Sequence, residues 1–212
     1  MPHANVDRDQ LLATLAPLCP GIEADILQDF TTRMDQDYFA AFPPKLLASH
    51  VALAALLTPD HPCEIRFTKI DRTRWTITIV AYDYFSEFAT ICGLLSAFGL
   101  NIEEGRIFTS AESEPARSGR SSTPYGTRPR PQGRPGLTRK KIVDVFTVTL
   151  TEGDPFTAED QKRLAEQLSR MIVLLDRNEF DEARQQVNRQ LIEHLGKQRS
   201  SFSGLLHTVH IT

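Results

Sequence analysis

Seven consecutive residues, Trp75, Thr76, Ile77, Thr78, Ile79, Val80 and Ala81, constrain this chain most, because they are almost all β-branched, aromatic or small. β-branched side chains lose rotamer freedom against the preceding turn of a helix and pack well on a pleated surface, so the run predicts a strand. The pattern then changes. Phe85, Phe88, Ile91, Cys92, Leu95 and Phe98 recur every three or four residues, which places them on one face of a helix. Asp83 stands before that helix and Gly99 after it, in the places of N-terminal and C-terminal helix signals. Ile102 to Thr109 predicts a second strand.

Five further segments surround the βαβ unit. Glu64, Ile65, Arg66 and Phe67 alternate polar and apolar, which predicts a half-buried strand ahead of it. Ile142 to Leu150 is another β-branched run. After the break at Gly153, Asp154 and Pro155, Thr157 with Asp160 offers a capped helix start. Leu164, Leu168, Met171, Ile172 and Leu175 give that helix its buried stripe, and Asn178 marks its end. A last helix carries Phe180, Ala183, Val187, Leu191, Ile192 and Leu195 as far as Gly196, with Gln185, Gln186, Arg189, Gln190 and Glu193 on a solvated side. Leu205 to Ile211 reads as a C-terminal strand.

The stretch from Thr78 to Thr109 resembles an ACT domain, a small regulatory βαββαβ module. The matching residues are Thr78 to Asp83 in the first strand and turn, Ile91 to Leu95 in the helix, then Gly99, Leu100, Asn101, Ile102, and Arg106 to Thr109. The wording is most similar to the ACT regions of the nucleotidyltransferases that control glutamine synthetase, namely the PII uridylyltransferase and the glutamine synthetase adenylyltransferase. Upstream, Tyr38, Phe39 and His50 resemble the helical segment that precedes such regions. The resemblance implies an α+β, ferredoxin-like βαββαβ sandwich over residues 61–212, behind a helical lead-in over 1–60 and with an extra helix after the second ACT helix. It implies a non-catalytic regulatory module without a cofactor, binding a small amino acid such as glutamine or relaying its signal. The expected partner is a second copy or a second ACT unit, and the expected chain is a fragment of a longer multidomain regulator. The alternative is a dimerisation or protein-interaction module whose ligand site has been lost.

The implied ligand site is Asp83, Tyr84, Phe85, Ser86, Glu87, Phe88, Asn101 and Ile102. A helix N-terminus carries unpaired N–H groups and partial positive charge, which suits an amino-acid carboxylate. Asp83 either receives the ligand ammonium or caps the helix. Asn101 either touches ligand across a dimer interface or tolerates left-handed backbone after Gly99. Tyr84 and Phe85 are either plugs in a lost pocket or a lid over an apolar ligand. The turn departs from the family's usual Asp, any residue, Pro, Gly. It runs Asp83, Tyr84, Phe85, Ser86, and Ser offers neither close backbone approach nor easy positive φ.

The remaining chain bounds the function by what it lacks. A length of 212 residues and a net charge of −3 fit one moderate domain, or a small domain with an added helical part. No apolar run approaches the length that crosses a bilayer. The N-terminus, with His3, Asp7, Arg8 and Asp9, lacks a secretory start, so the cytoplasm is expected. Cys19, Cys63 and Cys92 are widely spaced and read as buried thiols. His207 and His210 lie three apart in an expected strand, where they face opposite sides and make a poor metal pair. Nucleotidyl transfer needs metal-binding carboxylates beside a Gly-Ser turn. Asp7 with Asp9 and Asp35 with Asp37 are present, yet the sequence contains no Gly-Ser pair and no His-Asp pair.

The first sixty residues predict three helical faces. They are Leu11, Leu12 and Leu15; Ile22, Ile26, Leu27 and Phe30; and Leu46, Leu47, His50, Val51, Leu53, Ala54 and Leu57 after Pro43 and Pro44. Residues 111–140 are rich in Pro, Ser, Gly and Arg with almost nothing to bury, which predicts a mobile loop. Its Arg117, Arg120, Arg128, Arg130, Arg134, Arg139, Lys140 and Lys141 attract acidic surfaces or nucleic acid. Tyr125 is its sole aromatic residue, so it lacks the stacking groups of single-strand binders, and a solvated linker is the expectation.

Overall fold

The computed structural model describes residues 7–84, 87–112, 139–150 and 155–206, with side chains described as far as residue 196. Among these residues the chain is α+β, with seven α-helices and a four-stranded antiparallel sheet. The helices are α1 Arg8–Leu15, α2 Ala24–Arg33, α3 Gln36–Ala41, α4 Pro44–Leu56, α5 Glu87–Ala97, α6 Ala158–Asp176 and α7 Phe180–Leu206. The strands are β1 Cys63–Lys69, β2 Arg74–Tyr82, β3 Leu100–Thr109 and β4 Lys141–Leu150.

The sheet order is β1-β2-β4-β3. Asp83 N–H donates to the Lys140 carbonyl at one end of the β2–β4 ladder, and Leu150 N–H to the Thr73 carbonyl at the other. The two central strands therefore run antiparallel. Since β3 also runs antiparallel to β4, β2 and β3 are parallel to each other and are joined across β4 by α5. A parallel connection needs such a crossover, whereas β1 and β2 are joined by a short turn. That turn is fixed by Asp71, whose carboxylate accepts from the Thr73 and Arg74 backbone N–H groups and from the Arg74 side chain at 2.7 Å. Ile77, Ile79, Val80 and Ala81 in β2, and Val143 and Val148 in β4, have no exposed surface. Burying each large aliphatic side chain contributes about 1.5–3 kcal/mol before the entropy of ordering is counted.

Contacts divide the chain into two compact units. The first is Met1–His61 with Val80–Asp83 and Phe108–Val143. Its core is aromatic: the fully buried Tyr38 ring packs edge-on to Phe30, Phe39, Phe42 and Phe108 at centroid distances of 5.2–5.8 Å. Of the carboxylate pairs noted in the sequence, Asp7 and Asp35 are helix caps. Asp7 accepts from the N–H groups of Asp9 and Gln10 at the start of α1, and Asp35 accepts from Tyr38 N–H at 2.7 Å at the start of α3. Leu46, expected on the buried face of α4, is 47% exposed, while Leu47, His50 and Val51 are buried.

The second unit is Pro62–Ile79, Tyr84–Ile107 and Asp144–Thr212. Phe156 bridges the strands to α6 here, with its ring edge-on to Phe67 at 5.5 Å and to Trp75 at 5.6 Å. The capping box of Thr157 and Asp160 starts α6 as the sequence predicts, and Leu164, Leu168, Met171, Ile172 and Leu175 are all buried. Asn178, at φ 61°, ends the turn after α6 in the left-handed region, which Asn tolerates.

Three expectations are corrected. The last helix does not stop at Gly196 but runs to Leu206, so Leu205 and Leu206 are helical where a strand was expected at 205–212. His207 to Thr212 lie outside the described residues, as does 113–138 of the expected mobile loop. On α7 only the Ala183 and Val187 end of the apolar stripe is buried; Ile192 is 69% exposed and Leu195 55%.

Helices α5 and α7 approach closely at Gly93, where a Cβ would lie 2.5 Å from Val187 Cγ1 on α7. Gly93→Ala forces the stiff, β-branched Val187 to move, which outweighs the roughly 1 kcal/mol helix-propensity gain of Ala. A net loss of about 1–2 kcal/mol is expected in urea unfolding, recovered when Val187→Ala is added to the same chain.

Candidate functional sites around helix α5 and at the root of β4

The start of α5 is built differently from the sequence expectation. Asp83 lies four residues ahead of Glu87 and is exposed, and its backbone extends the β2–β4 ladder, so it is not the residue that caps α5. Phe85 and Ser86 lie outside the described residues. Glu87 turns inward and is 3% exposed. Its Oε2 accepts from Tyr84 N–H at 3.1 Å while its own N–H donates to the Tyr84 carbonyl at 3.3 Å. A carboxylate of the protein itself thus occupies the electropositive end of the helix. Phe88 is half exposed, with its ring stacked on Phe146 of β4 at 6.3 Å. Asn101 is exposed and Ile102 half-buried, both within β3. The left-handed residue at that corner is Gly99, at φ 70°, and not Asn101. A Cβ on Gly99 would sit 3.0 Å from His194 Cε1.

Beneath α5 lies a polar interior that sequence patterning did not reveal. Asp144 on β4 is 1% exposed and Cys63 on β1 is 2%. Burial pushes the Cys63 thiol well above its ordinary value, and the carboxylates of Glu87, Glu64 and Asp144 push it the same way. Cys92 is raised by burial and then by Asp144. Such thiols are poor nucleophiles, since the thiolate is the reactive form. Among the described residues no group of His, Cys, Asp and Glu is placed to hold a metal ion.

On the outer side of α5 a groove of about 460 Å³ opens against α7 and the end of α6. Ala89, Gly93, Leu175, Phe180, Val187 and Leu191 form its apolar walls. Thr90, Asp181, Arg184 and Asn188 supply the polar groups, with Arg184 donating to Asp181 at 2.8 Å at the exposed rim. None of the walls on α6 or α7 was among the residues expected to bind a ligand. The one sequence signal for it is Gly93, a residue without a side chain in the middle of an apolar helix.

A second constellation lies in the helical unit at the root of β4. Arg33, 7% exposed, donates through Nε to the Ala111 carbonyl at 2.7 Å and through its NH2 group to the Arg139 carbonyl at 3.0 Å. Ala111 N–H returns a bond to the Arg33 carbonyl. One guanidinium therefore fastens both ends of the Arg- and Pro-rich segment. Asp29 serves two cations, Arg33 at 3.4 Å and Lys141 at 3.3 Å. Nearby in the same unit the Tyr38 hydroxyl and His50 Nδ1 are 2.9 Å apart in a fully buried pair.

Among the described residues no helix is long and apolar enough to cross a membrane. Comparison with protein-family models and with curated proteins gives no match. Fold and site geometry therefore define the class, an α+β protein with a four-stranded antiparallel sheet.

Burial lowers the Lys141 ammonium below the ordinary lysine value of 10.5, against the opposing pull of Asp29. Folding then disfavours the charged form, so this group's contribution to stability rises as pH climbs from its lowered folded value towards 10.5. Urea midpoints taken at pH 8 and pH 10.5 should move upward for the natural chain relative to Lys141→Met across that window. In the thiol interior, Cys63 should resist alkylation in the native protein at pH 8 and react at once in denaturant, as measured by mass spectrometry.

Proposed function

We propose that this chain is a non-catalytic regulatory module of the ACT type, belonging to a nucleotidyltransferase of nitrogen metabolism. The observation that carries the reading is the order of the sheet. In a ferredoxin-like βαββαβ module two parallel strands flank an antiparallel one, each crossover is helical, and a fourth strand closes the edge beside the first. β2, α5, β3, β4 and α6 supply five of those six elements in that order, and the sheet order places β1 at the remaining edge. An N-terminal strand thus takes the place that the last strand holds in the module. A sheet cares about which edge is paired and not about which end of the chain pairs it, so the same core is closed either way.

Two modes of action follow from such a module, sensing an amino acid or joining protein units. Glu87 favours the second. Its buried carboxylate already accepts from the backbone N–H that a ligand carboxylate would use, and a second anion there meets like-charge repulsion. β3 meanwhile is a ten-residue edge strand exposing Asn101, Glu103, Gly105, Arg106 and Ile107. An edge of that length offers unpaired backbone groups to the same edge of a second copy.

Light scattering on the purified chain tests this reading, with a dimer at micromolar concentration as the expected result. Ile107→Lys should shift the protein to monomer with little loss of folding, since Ile107 is 46% exposed. Calorimetry with glutamine separates the two modes. Heat that disappears in Asp83→Ala supports sensing, whereas silence leaves assembly; a monomer silent to glutamine overturns both.

A further inference from the structure

From the groove on the outer side of α5 we infer a binding site for a small apolar carboxylate, with its hydrocarbon body against α5 and α7 and its head group on Arg184. The inference rests on the regulatory reading only for its biological meaning, and the site is separate from the N-terminus of α5.

Three features of this groove support the inference. The first is size: about 460 Å³ lies within the range of small-molecule sites. The second is the material of its walls. Ala89, Leu175, Val187 and Leu191 present hydrocarbon, with the Val187 side chain packed into the space that Gly93 leaves on α5. Thr90, 7% exposed, is a polar lining residue set well inside this apolar surface. The third is the asymmetry of charge at the mouth. Arg184 and Asp181 stand together at one rim, 2.8 Å apart and 73% and 83% exposed, so both remain open to a newcomer.

A guanidinium binds a carboxylate through two parallel bonds, and its planar fork keeps its charge at any working pH. A ligand carboxylate can therefore take the place that Asp181 holds on Arg184 without changing the groove. The head-group contact is solvent-exposed and worth little by itself. Most of the affinity must come from the hydrocarbon body, which leads to a dissociation constant of about 0.1–1 mM for a ligand of ten or so heavy atoms.

The shared chemistry has two sources, a simple fatty carboxylate or an apolar amino acid, and Asp181 distinguishes them. Asp181 repels a plain carboxylate but pairs with the ammonium of an amino acid. Calorimetry on the full chain with octanoate, leucine and phenylalanine is the test. Saturable heat with at least one of them is expected, weakened about two- to fivefold in Arg184→Met. In Ala89→Trp, which fills the groove from α5, affinity should fall more than tenfold; Asn188→Trp fills it from α7 and guards against misfolding of the first variant. Asp181→Asn should strengthen octanoate binding and weaken amino-acid binding. No saturable heat with any of the three, or binding indifferent to both tryptophan variants, overturns the inference. Because octanoate does not engage glutamine sensing or strand pairing, failure here leaves the dimer test untouched, and the reverse also holds.

Discussion

Everything in the sheet depends on the antiparallel ladder between β2 and β4, because among the described residues these are the two strands paired on both edges. Their backbone groups are satisfied internally, and that permits the side chains of Ile77, Ile79, Val80, Val143 and Val148 to be taken wholly out of water. The outer strands add to a core that already exists. β1 is tied on by the Asp71 turn, and β3 is returned to the sheet by α5 and the left-handed Gly99. The strand with the least burial, β3, is one of the two edge strands of the sheet.

Charge inside the protein is arranged locally, one cluster at a time. In the helical unit a single carboxylate, Asp29, is shared by Arg33 and Lys141, and Arg33 uses its other donors on the carbonyls of Ala111 and Arg139. The guanidinium can do this because its donors lie in a rigid plane and reach several acceptors at once. In the other unit burial raises the Cys63 thiol, and Glu87, Glu64 and Asp144 raise it further.

Helix α5 meets both this polar interior and the groove. Its N-terminus is turned towards the protein's own Glu87, while its outer face, through Ala89, Thr90 and Gly93, helps to line the groove against α7. At Gly93, a lining residue of that groove, the absence of a side chain lets Val187 come close.

The local pattern of residues by itself determined the strands at Arg74–Tyr82 and Lys141–Leu150, the helix between Asp83 and Gly99, and the capped helix behind Thr157, because periodicity, branching and capping are short-range properties. It did not determine which strand lies beside which. An N-terminal strand and a C-terminal one compete for the same edge, and only the tertiary structure assigned that edge to β1 and carried α7 on as a helix to Leu206. Nor did it determine the fate of polar groups. A Glu at the first turn of a helix reads as surface, and Glu87 becomes interior only because β1 and β4 lie beneath α5; Asp83 reads as a cap and becomes the end of a ladder. The groove was the least legible of all, since Gly93 and Leu175 are 82 residues apart in the chain and meet only where α6 packs beside α5.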